Sequence, residues 1–398
     1  MREAQMTIPH LFMCPISLDL IKDPVTLSTG QTYDRSSIEK WLAAGNLTCP
    51  VTMQKLHDPT MVPNHTLRHL IDQWLQMGPD QLDPASMASL DALAALKRNL
   101  ESHQATLQSK SQALDKFQAL YLESPQVRSC LVQLGFLPLL LELVFGKVEA
   151  QVSQECLQFV EQALPCVLRL LSLGEYECLN LLKEGLELES LQVLFEQGSI
   201  SIKVSLCHLI EAISSSLETR DLCAILGKKQ RILHCLSLLI HQHSGASEAA
   251  IKAISALSSL ESNREYLVNQ DLIDGLIRRI SNAERQERNM APKALAILEL
   301  LIGQESGKKA VMKNPDGVNA LVKMVFRVSD HQGSESAVRS LTILCADSLQ
   351  AREGVICAGV LTQLLLLLQS QCSSRTKTKA RMLLKLLRSK WEDEQKVF

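Results

Sequence analysis

The chain of 398 residues carries 41 Lys and Arg against 43 Asp and Glu, so its formal net charge is −2. This balance lacks the basic excess that nucleic-acid binding requires, and we expect no nucleic-acid partner. The length allows two or three domains, and an aromatic content of only 4% favours stacked helices over a β-sandwich. Twelve cysteines without a paired spacing predict buried free thiols in a reducing compartment.

The first predicted elements are short and rich in turns. A strand is predicted over residues 24–28, before a turn at Gly30. One helix is predicted to begin at Asp34 and a second at Asn64. Two roles stay open for Asp34, because its carboxylate can cap the helix that it precedes or bond across to a neighbouring loop.

Two similar strings flank these elements, Cys-Pro-Ile-Ser at 14–17 and Cys-Pro-Val-Thr at 49–52. Each looks like half of a zinc-binding Cys-x-x-Cys pair in which a hydroxyl has replaced the second sulfur. Structural zinc needs four sulfur or imidazole ligands, and residues 1–80 contain only two cysteines. We therefore predict no metal site, and polar contacts that hold the loops in its place.

Further motifs make the resemblance specific: Asp-Pro-Val at 23–25, Thr-Tyr-Asp-Arg at 32–35 and Ile-Asp-Gln-Trp at 71–74. With the two Cys-Pro strings, they resemble the U-box, the zinc-free relative of the RING domain. We predict that polar side chains replace the metal in bracing the two loops. The predicted bracing residues are Ser17, Asp23, Asp34, Arg35, Thr52 and Asn64.

The resemblance also implies a shallow apolar groove on which a ubiquitin-conjugating enzyme docks. For Trp41 and Ile16 the alternative is an ordinary place in the core. Met53 stands where highly active relatives often carry a basic or amide side chain, so the strength of ubiquitin activation stays open. The residues that the resemblance assigns to this groove are Ile16, Leu18, Trp41, Pro50 and Met53.

The predicted domains follow from composition and pattern. The U-box is assigned to 8–78, a linker rich in Gly, Pro and small residues to 79–90, and a helical region to 91–398, with its clearest repeats over 220–390. Within that region, residues 91–121 predict one or two amphipathic helices.

Two markers reveal a repeat. A basic residue recurs every 44 residues, at Arg220, Arg264, Lys308 and Arg352. An alanine inside an apolar helix recurs at spacings of 44, 43 and 43, at Ala250, Ala294, Ala337 and Ala380.

A period in the low forties is typical of armadillo or HEAT repeats, and a glycine before the longer helices favours armadillo. We expect about five to seven units. The predicted fold is thus mainly α, with a small α+β U-box followed by an armadillo-type α-solenoid. The third helix of each unit usually lines the groove in armadillo proteins, which points to the segments around His208, Lys252, Lys293, Arg339 and Lys379. Solvated surface charge is the alternative for each of them.

The motifs of phosphate loops, serine hydrolases and zinc proteases are absent from the sequence. We therefore expect no catalytic residue of the chain's own and no cofactor. The whole chain resembles plant U-box/armadillo ubiquitin ligases. This resemblance implies an E3 ligase that docks a charged conjugating enzyme, E2, and recruits a protein substrate on its armadillo groove. A non-catalytic armadillo adaptor with a weak or inert U-box is the alternative, and a karyopherin-like carrier is a third.

The resemblance also suggests plant stress, immune or hormone signalling, and it allows two U-boxes to pair as a dimer. No apolar run is long enough for a membrane-spanning helix, and the N-terminus lacks the apolar region of an export signal. We expect a cytoplasmic location, with the nucleus and the membrane periphery as alternatives.

Overall fold

The computed structural model describes residues 9–56, 58, 60–77, 84–123, 125–146, 152–242, 245–282, 290–327 and 331–394. It divides into two compact units. The first comprises residues 1–144 and 153–175, and the second comprises residues 145–152 and 176–398.

The first unit begins with a small antiparallel sheet. Val25 of its central strand pairs with Tyr33 on one side and with Pro63 on the other. A turn between the first two strands contains Gly30 at a φ of 77°, a conformation that favours glycine. The strands are β1 (Pro24–Thr26), β2 (Thr32–Asp34) and β3 (Val62–Pro63), in the order β2-β1-β3.

Two helices pack on this sheet, α1 (Arg35–Ala43) and α2 (His65–Met77), and a 3-10 helix at His10–Phe12 precedes it. Ile38 of α1 is fully buried. Asn64 caps α2, because its Oδ1 accepts the Leu67 N–H at 3.0 Å. Eleven buried residues form the core: Phe12, Cys14, Ile21, Val25, Leu27, Tyr33, Ile38, Cys49, Leu56, Leu67 and Ile71.

The rest of the first unit is helical. The sequence predicted one or two helices over residues 91–121, and the structure has two. Residues 79–83 of the predicted linker lie outside the described residues, and the first of these helices begins at Pro84, inside the predicted linker. Proline suits a first helical turn, where no intrahelical N–H bond is lost. The helices are α3 (Pro84–Glu101), α4 (Leu107–Glu123), α5 (Pro125–Gln133), α6 (Phe136–Phe145, whose last residue belongs to the second unit) and α7 (Gln154–Leu171).

The second unit is an α-solenoid built from five groups of three helical segments. The third helices pack in succession, each against the next, as expected for stacked repeats. The segments α5 to α7 have the same order, which makes six groups among the described residues. The second unit holds a 3-10 helix (Glu177–Lys183), α8 (Gly185–Gln197), α9 (Ile200–Ser214), α10 (Arg220–Leu226), α11 (Gln230–Ile240), α12 (Gly245–Ser258), α13 (Glu261–Val268), α14 (Leu272–Ser281), α15 (Ala291–Ile302), α16 (Glu305–Lys313), α17 (Gly317–Val325), α18 (His331–Ala346), α19 (Leu349–Cys357), α20 (Val360–Gln369) and α21 (Ser374–Glu394).

The repeating alanines lie where the third helices meet. They belong to α12, α15, α18 and α21, and all four are fully buried. A methyl side chain lets packed helices approach closely. Each of these four groups has such an alanine in its third helix, so the spacing of the alanines in the sequence equals the length of one group. The alanines are Ala250, Ala294, Ala337 and Ala380.

The repeating basic residues lie in the short first helices, and two of them bind the end of the preceding third helix. Arg264 Nε donates to the Ser258 carbonyl at 3.1 Å, where α12 ends. Arg352 donates to Cys345 O at 2.7 Å and to Ala346 O at 2.8 Å, where α18 ends. These carbonyls have no intrahelical partner, and a cation also suits the negative end of the helix dipole.

Two further findings concern the chain as described. All twelve cysteines are free thiols, and nine of them are buried. No single helix of the described residues is long and apolar enough to cross a membrane, and α19 and α20, bent by 73° at their junction, meet that test only as a pair.

Candidate docking site

The two Cys-Pro loops have the same backbone. We call residues 14–20 the first loop and residues 49–55 the second loop. In each loop the cysteine N–H donates to the carbonyl five residues later, and the residue four positions later donates back to the cysteine carbonyl. The distances are 2.8 Å for Cys14 N–Asp19 O, 2.8 Å for Leu18 N–Cys14 O, 2.8 Å for Cys49 N–Gln54 O and 2.9 Å for Met53 N–Cys49 O.

Each loop holds a large apolar residue in a left-handed conformation. Leu18 has a φ of 60° and Met53 a φ of 61°. A non-glycine residue costs about 1–2 kcal/mol in this region, so the surrounding hydrogen bonds must maintain it. Both side chains point outward, since Leu18 is 67% exposed and Met53 is 70% exposed. Strained loops that expose apolar side chains are typical of a binding surface rather than of a core.

Trp41 connects α1 to the second loop. Its side chain is half-buried and packs against the U-box core. Its indole Nε1 donates to the Thr48 carbonyl at 2.9 Å, and the Asn46 side chain donates to the Trp41 carbonyl at 3.1 Å. Ile16 also packs against this core, and both Ile16 and Pro50 are half-buried. None of the five predicted docking residues is therefore fully buried.

The Cys49 thiol lies at the centre of the bracing of the second loop. The Tyr33 hydroxyl lies 3.0 Å from its Sγ and accepts the Val51 N–H at 3.3 Å, while Thr29 Oγ1 donates to the same sulfur at 3.3 Å. Burial by itself raises the pKa of the Cys49 thiol, but hydrogen bonds from Thr29, Thr52 and Tyr33 outweigh it and lower the pKa to about 7. Burial and the Cys49 sulfur in turn raise the pKa of Tyr33.

Asp34 braces the first loop. Its Oδ1 accepts the N–H groups of Lys22 at 2.8 Å and Asp23 at 2.9 Å, and the Asp34 N–H donates to Cys14 Sγ at 3.4 Å. The cross-loop role is therefore present, and Asp34 Oδ2 also accepts the Ser36 hydroxyl of the first turn of α1 at 2.6 Å. Burial opposes ionisation, but the hydrogen bonds from Ser36, Asp23 and Lys22 hold the pKa of Asp34 below its usual value.

Three other predicted bracing residues join separate elements. Asp23 accepts Arg35 Nε at 2.6 Å, across the start of α1. Asn64 reaches from the start of α2 to the hydroxyls of Thr26 and Thr32, at 3.4 and 3.5 Å. These contacts fasten both helices to the sheet.

Ser17 and Thr52 brace their own loops, and each hydroxyl hydrogen-bonds the cysteine three residues before it. Each also accepts a backbone N–H only two residues later, at 3.4 Å from Asp19 and 3.5 Å from Gln54. Both side chains are exposed at the tips of their loops, so they support their own turns. Tyr33, which the sequence analysis did not name, connects the second loop to β2. Its position in a strand indicates that the Tyr33 side chain can be buried. The spacing of residues in the sequence did not reveal that its hydroxyl contacts Cys49.

The described residues contain no group of three or more His, Cys, Asp or Glu side chains arranged to hold a metal ion.

Val51 was also missed by the sequence analysis. It lies between Pro50 and Met53 and is exposed, so it extends the apolar surface of the second loop.

Comparisons with known proteins cover nearly the whole chain. Residues 8–78 match the family model of the U-box domain, and residues 92–397 match that of the plant U-box protein ARM repeat region. The chain is 35% identical to U-box domain-containing protein 26 of Arabidopsis thaliana, over 98% of this chain and 94% of that protein. It is 33% identical to U-box domain-containing protein 25 of the same plant, over 97% and 92%. E3 ubiquitin-protein ligase PUB23 of Arabidopsis thaliana is 28% identical, over 98% of this chain and 95% of that protein.

Proposed function

Because the chain belongs to the plant U-box proteins that carry an armadillo-repeat region, we propose that it is an E3 ubiquitin-protein ligase. Two of its relatives, PUB22 and PUB23, are named as such ligases. The observation that carries the proposal is the pair of strained loops, which expose Leu18 and Met53. The half-buried Trp41, hydrogen-bonded to the base of the second loop, supports it.

In this proposal the U-box docks an E2 that carries ubiquitin as a thioester. The free energy falls when a partner covers exposed apolar side chains, and a half-buried tryptophan is a strong interface anchor. The nucleophile is a substrate lysine, and the chain forms no covalent intermediate of its own. Acceleration comes from restricting the flexible conjugate to reactive orientations. The armadillo region recruits the substrate.

The test uses the full chain with activating enzyme, E2, ubiquitin and ATP. We expect ubiquitin ladders, and we expect discharge of charged E2 to fall at least about tenfold in Trp41→Ala and Leu18→Ala, since buried anchors dominate such interfaces. The matched control is Leu217→Ala, because Leu217 is an exposed leucine of the second unit. Full discharge by both U-box variants would contradict the docking surface.

Met53 decides how strongly ubiquitin is activated. A methionine cannot donate a hydrogen bond, whereas a guanidinium offers five N–H donors. We expect Met53→Arg to speed single-turnover discharge and Met53→Leu to leave it unchanged. An unchanged or slower rate in Met53→Arg would reject this role.

The same residue favours the second candidate function, a non-catalytic armadillo adaptor. If Met53 leaves the U-box inert, the full chain will not accelerate E2 discharge at any concentration. We propose the ligase, because the relatives that carry both regions include named ligases. Discharge by the wild-type chain alone separates the two candidates.

A further inference from the structure

Ion pairs connect the last three third helices of the second unit. Arg339 Nε of α18 lies 2.8 Å from Glu299 Oε1 of α15. Lys379 Nζ of α21 lies 2.5 Å from Glu335 Oε1 of α18, and Arg375 Nε approaches the same oxygen at 3.5 Å. Charges from three successive groups therefore share one face.

On this face the two arginines are more exposed than the glutamates that they pair with, whereas Lys379 is about as buried as Glu335. The Glu299 side chain is 11% exposed and that of Glu335 is 27% exposed, whereas Arg339 is 48% exposed and Arg375 is 74% exposed. Arg339 and Arg375 approach their glutamates from the Nε side. The exposed fractions of the two arginine side chains, 48% and 74%, leave much of each guanidinium facing solvent. Both guanidinium groups remain available to a ligand in solvent.

Further cations lie on α12 and α15, where Lys252 pairs with a glutamate of its own helix. Lys252 Nζ lies 3.0 Å from Glu248, and its hydrogen bond lowers the pKa of that glutamate, with a smaller effect from Lys293 of α15. Five cations thus face three glutamates, in a chain whose net charge is −2. We call these five residues the cationic row: Lys252, Lys293, Arg339, Arg375 and Lys379.

We propose that the cationic row binds an acidic segment of the protein to be ubiquitinated; this inference rests on the proposed ligase function. A guanidinium binds a carboxylate through two parallel hydrogen bonds, and both arginine side chains are exposed to solvent. Packed helices lie about 10 Å apart, and an extended chain advances about 3.3 Å per residue. Each group therefore corresponds to about three residues of the ligand, so the preferred segment has an acidic residue at about every third position.

A nucleic acid fits this surface less well. Its phosphates are evenly spaced and require an uninterrupted basic surface, and here Glu299 and Glu335 lie among the cations and pair with them. Single-stranded nucleic acid also needs aromatic side chains for stacking, and the row contains none.

The probe is a fluorescein-labelled peptide of about 12 residues with glutamate at every third position, and a glutamine version is the neutral control. We expect fluorescence anisotropy to show binding of the acidic peptide to the full chain, weakened by salt because the charges are solvent-exposed. The double variant Arg339→Gln/Arg375→Gln should bind it at least about tenfold more weakly. The matched control is Lys309→Gln/Lys323→Gln, which removes two exposed lysines of α16 and α17 outside the row and should bind normally.

The variant Arg339→Lys/Arg375→Lys keeps the charge without the two parallel hydrogen bonds and should restore part of the binding, which separates lost charge from a misfolded surface. Unchanged peptide affinity in the glutamine variant would overturn the inference. Tighter binding of a single-stranded DNA of equal charge would overturn it as well. Discharge of charged E2 is measured on the same samples. If the wild-type chain discharges E2 normally but does not bind the peptide, this inference fails and the ligase function stands. If the wild-type chain does not discharge E2, the ligase function fails.

Discussion

The U-box and the second unit hold their shapes in different ways. In the U-box, polar contacts made once each, such as those of Tyr33 and Asp34, position loops that lack regular structure. In the second unit the same contact recurs, because a buried alanine lies at each junction from Ala250 to Ala380. A contact made once has no substitute, whereas a repeated contact is supported by its neighbours. We therefore expect single substitutions to impair the U-box as a whole and the repeats only locally.

The largest expected effect is in the U-box. In Asp34→Ala the N–H groups of Lys22 and Asp23 lose a charged acceptor, and we expect local stability to fall by about 3 kcal/mol. Hydrogen exchange of the amides over residues 12–34, followed by mass spectrometry, measures this loss. Ser36→Ala is the control, because it removes only one hydrogen bond to the same carboxylate. A loss below about 1 kcal/mol would mean that the first loop is held by other contacts.

The matching test in the repeats is Ala294→Leu. Ala294 is fully buried in α15, and a larger side chain there should cost about 2 kcal/mol. We expect faster hydrogen exchange in α12, α15 and α18 only, with normal E2 discharge. Ala296→Leu, two residues along the same helix at a half-buried position, should cost much less. Faster exchange throughout the second unit would remove the contrast between the two regions.

A smaller effect is expected from Tyr33→Phe. The change leaves the Val51 N–H without its acceptor and removes one of the hydrogen bonds to the Cys49 sulfur, which should cost about 1.5 kcal/mol. Urea denaturation followed by tryptophan fluorescence measures the loss. Tyr266→Phe is the control, since the Tyr266 side chain is exposed. Equal stability of the two variants would show that the Tyr33 hydroxyl does not hold the second loop.

The smallest expected effect concerns pH. The folded-state pKa of Cys49, about 7, lies below the ordinary thiol value of 9.0, so the unfolded chain binds more protons between these values. The full difference in pKa would raise stability by about 2 kcal/mol between pH 7 and pH 9, and solvent screening in this exposed loop should reduce the rise to about 1 kcal/mol. This gain is lost as pH falls through 7. Urea midpoints across this range measure it. Cys49→Ser should flatten the dependence, and Cys207→Ala should not, because burial raises the Cys207 pKa to about 12. An equal slope in the wild type and in Cys49→Ser would refute the assignment.

Periodic and local features were predictable from the sequence. The armadillo-type fold was confirmed, because the alanine and basic markers reflect contacts that return in every group. The two Cys-Pro strings were recognisable as a pair for the same reason. Contacts between distant residues were not predictable. The bonds from Asp34 to Lys22 and from Tyr33 to Cys49 depend on the folded sheet, and neither propensity nor spacing reveals them. The left-handed conformations of Leu18 and Met53 were also missed, because sequence reasoning expects glycine there.

The arginine contacts between groups also bear on where the chain can be cut. Arg352 belongs to α19, yet it satisfies carbonyls at the end of α18, and Arg264 of α13 does the same for α12. The end of a third helix thus has its carbonyls satisfied only when the first helix of the next group is present. A fragment that stops at the end of a third helix loses its terminal guanidinium, so a deletion boundary should fall after the next short helix.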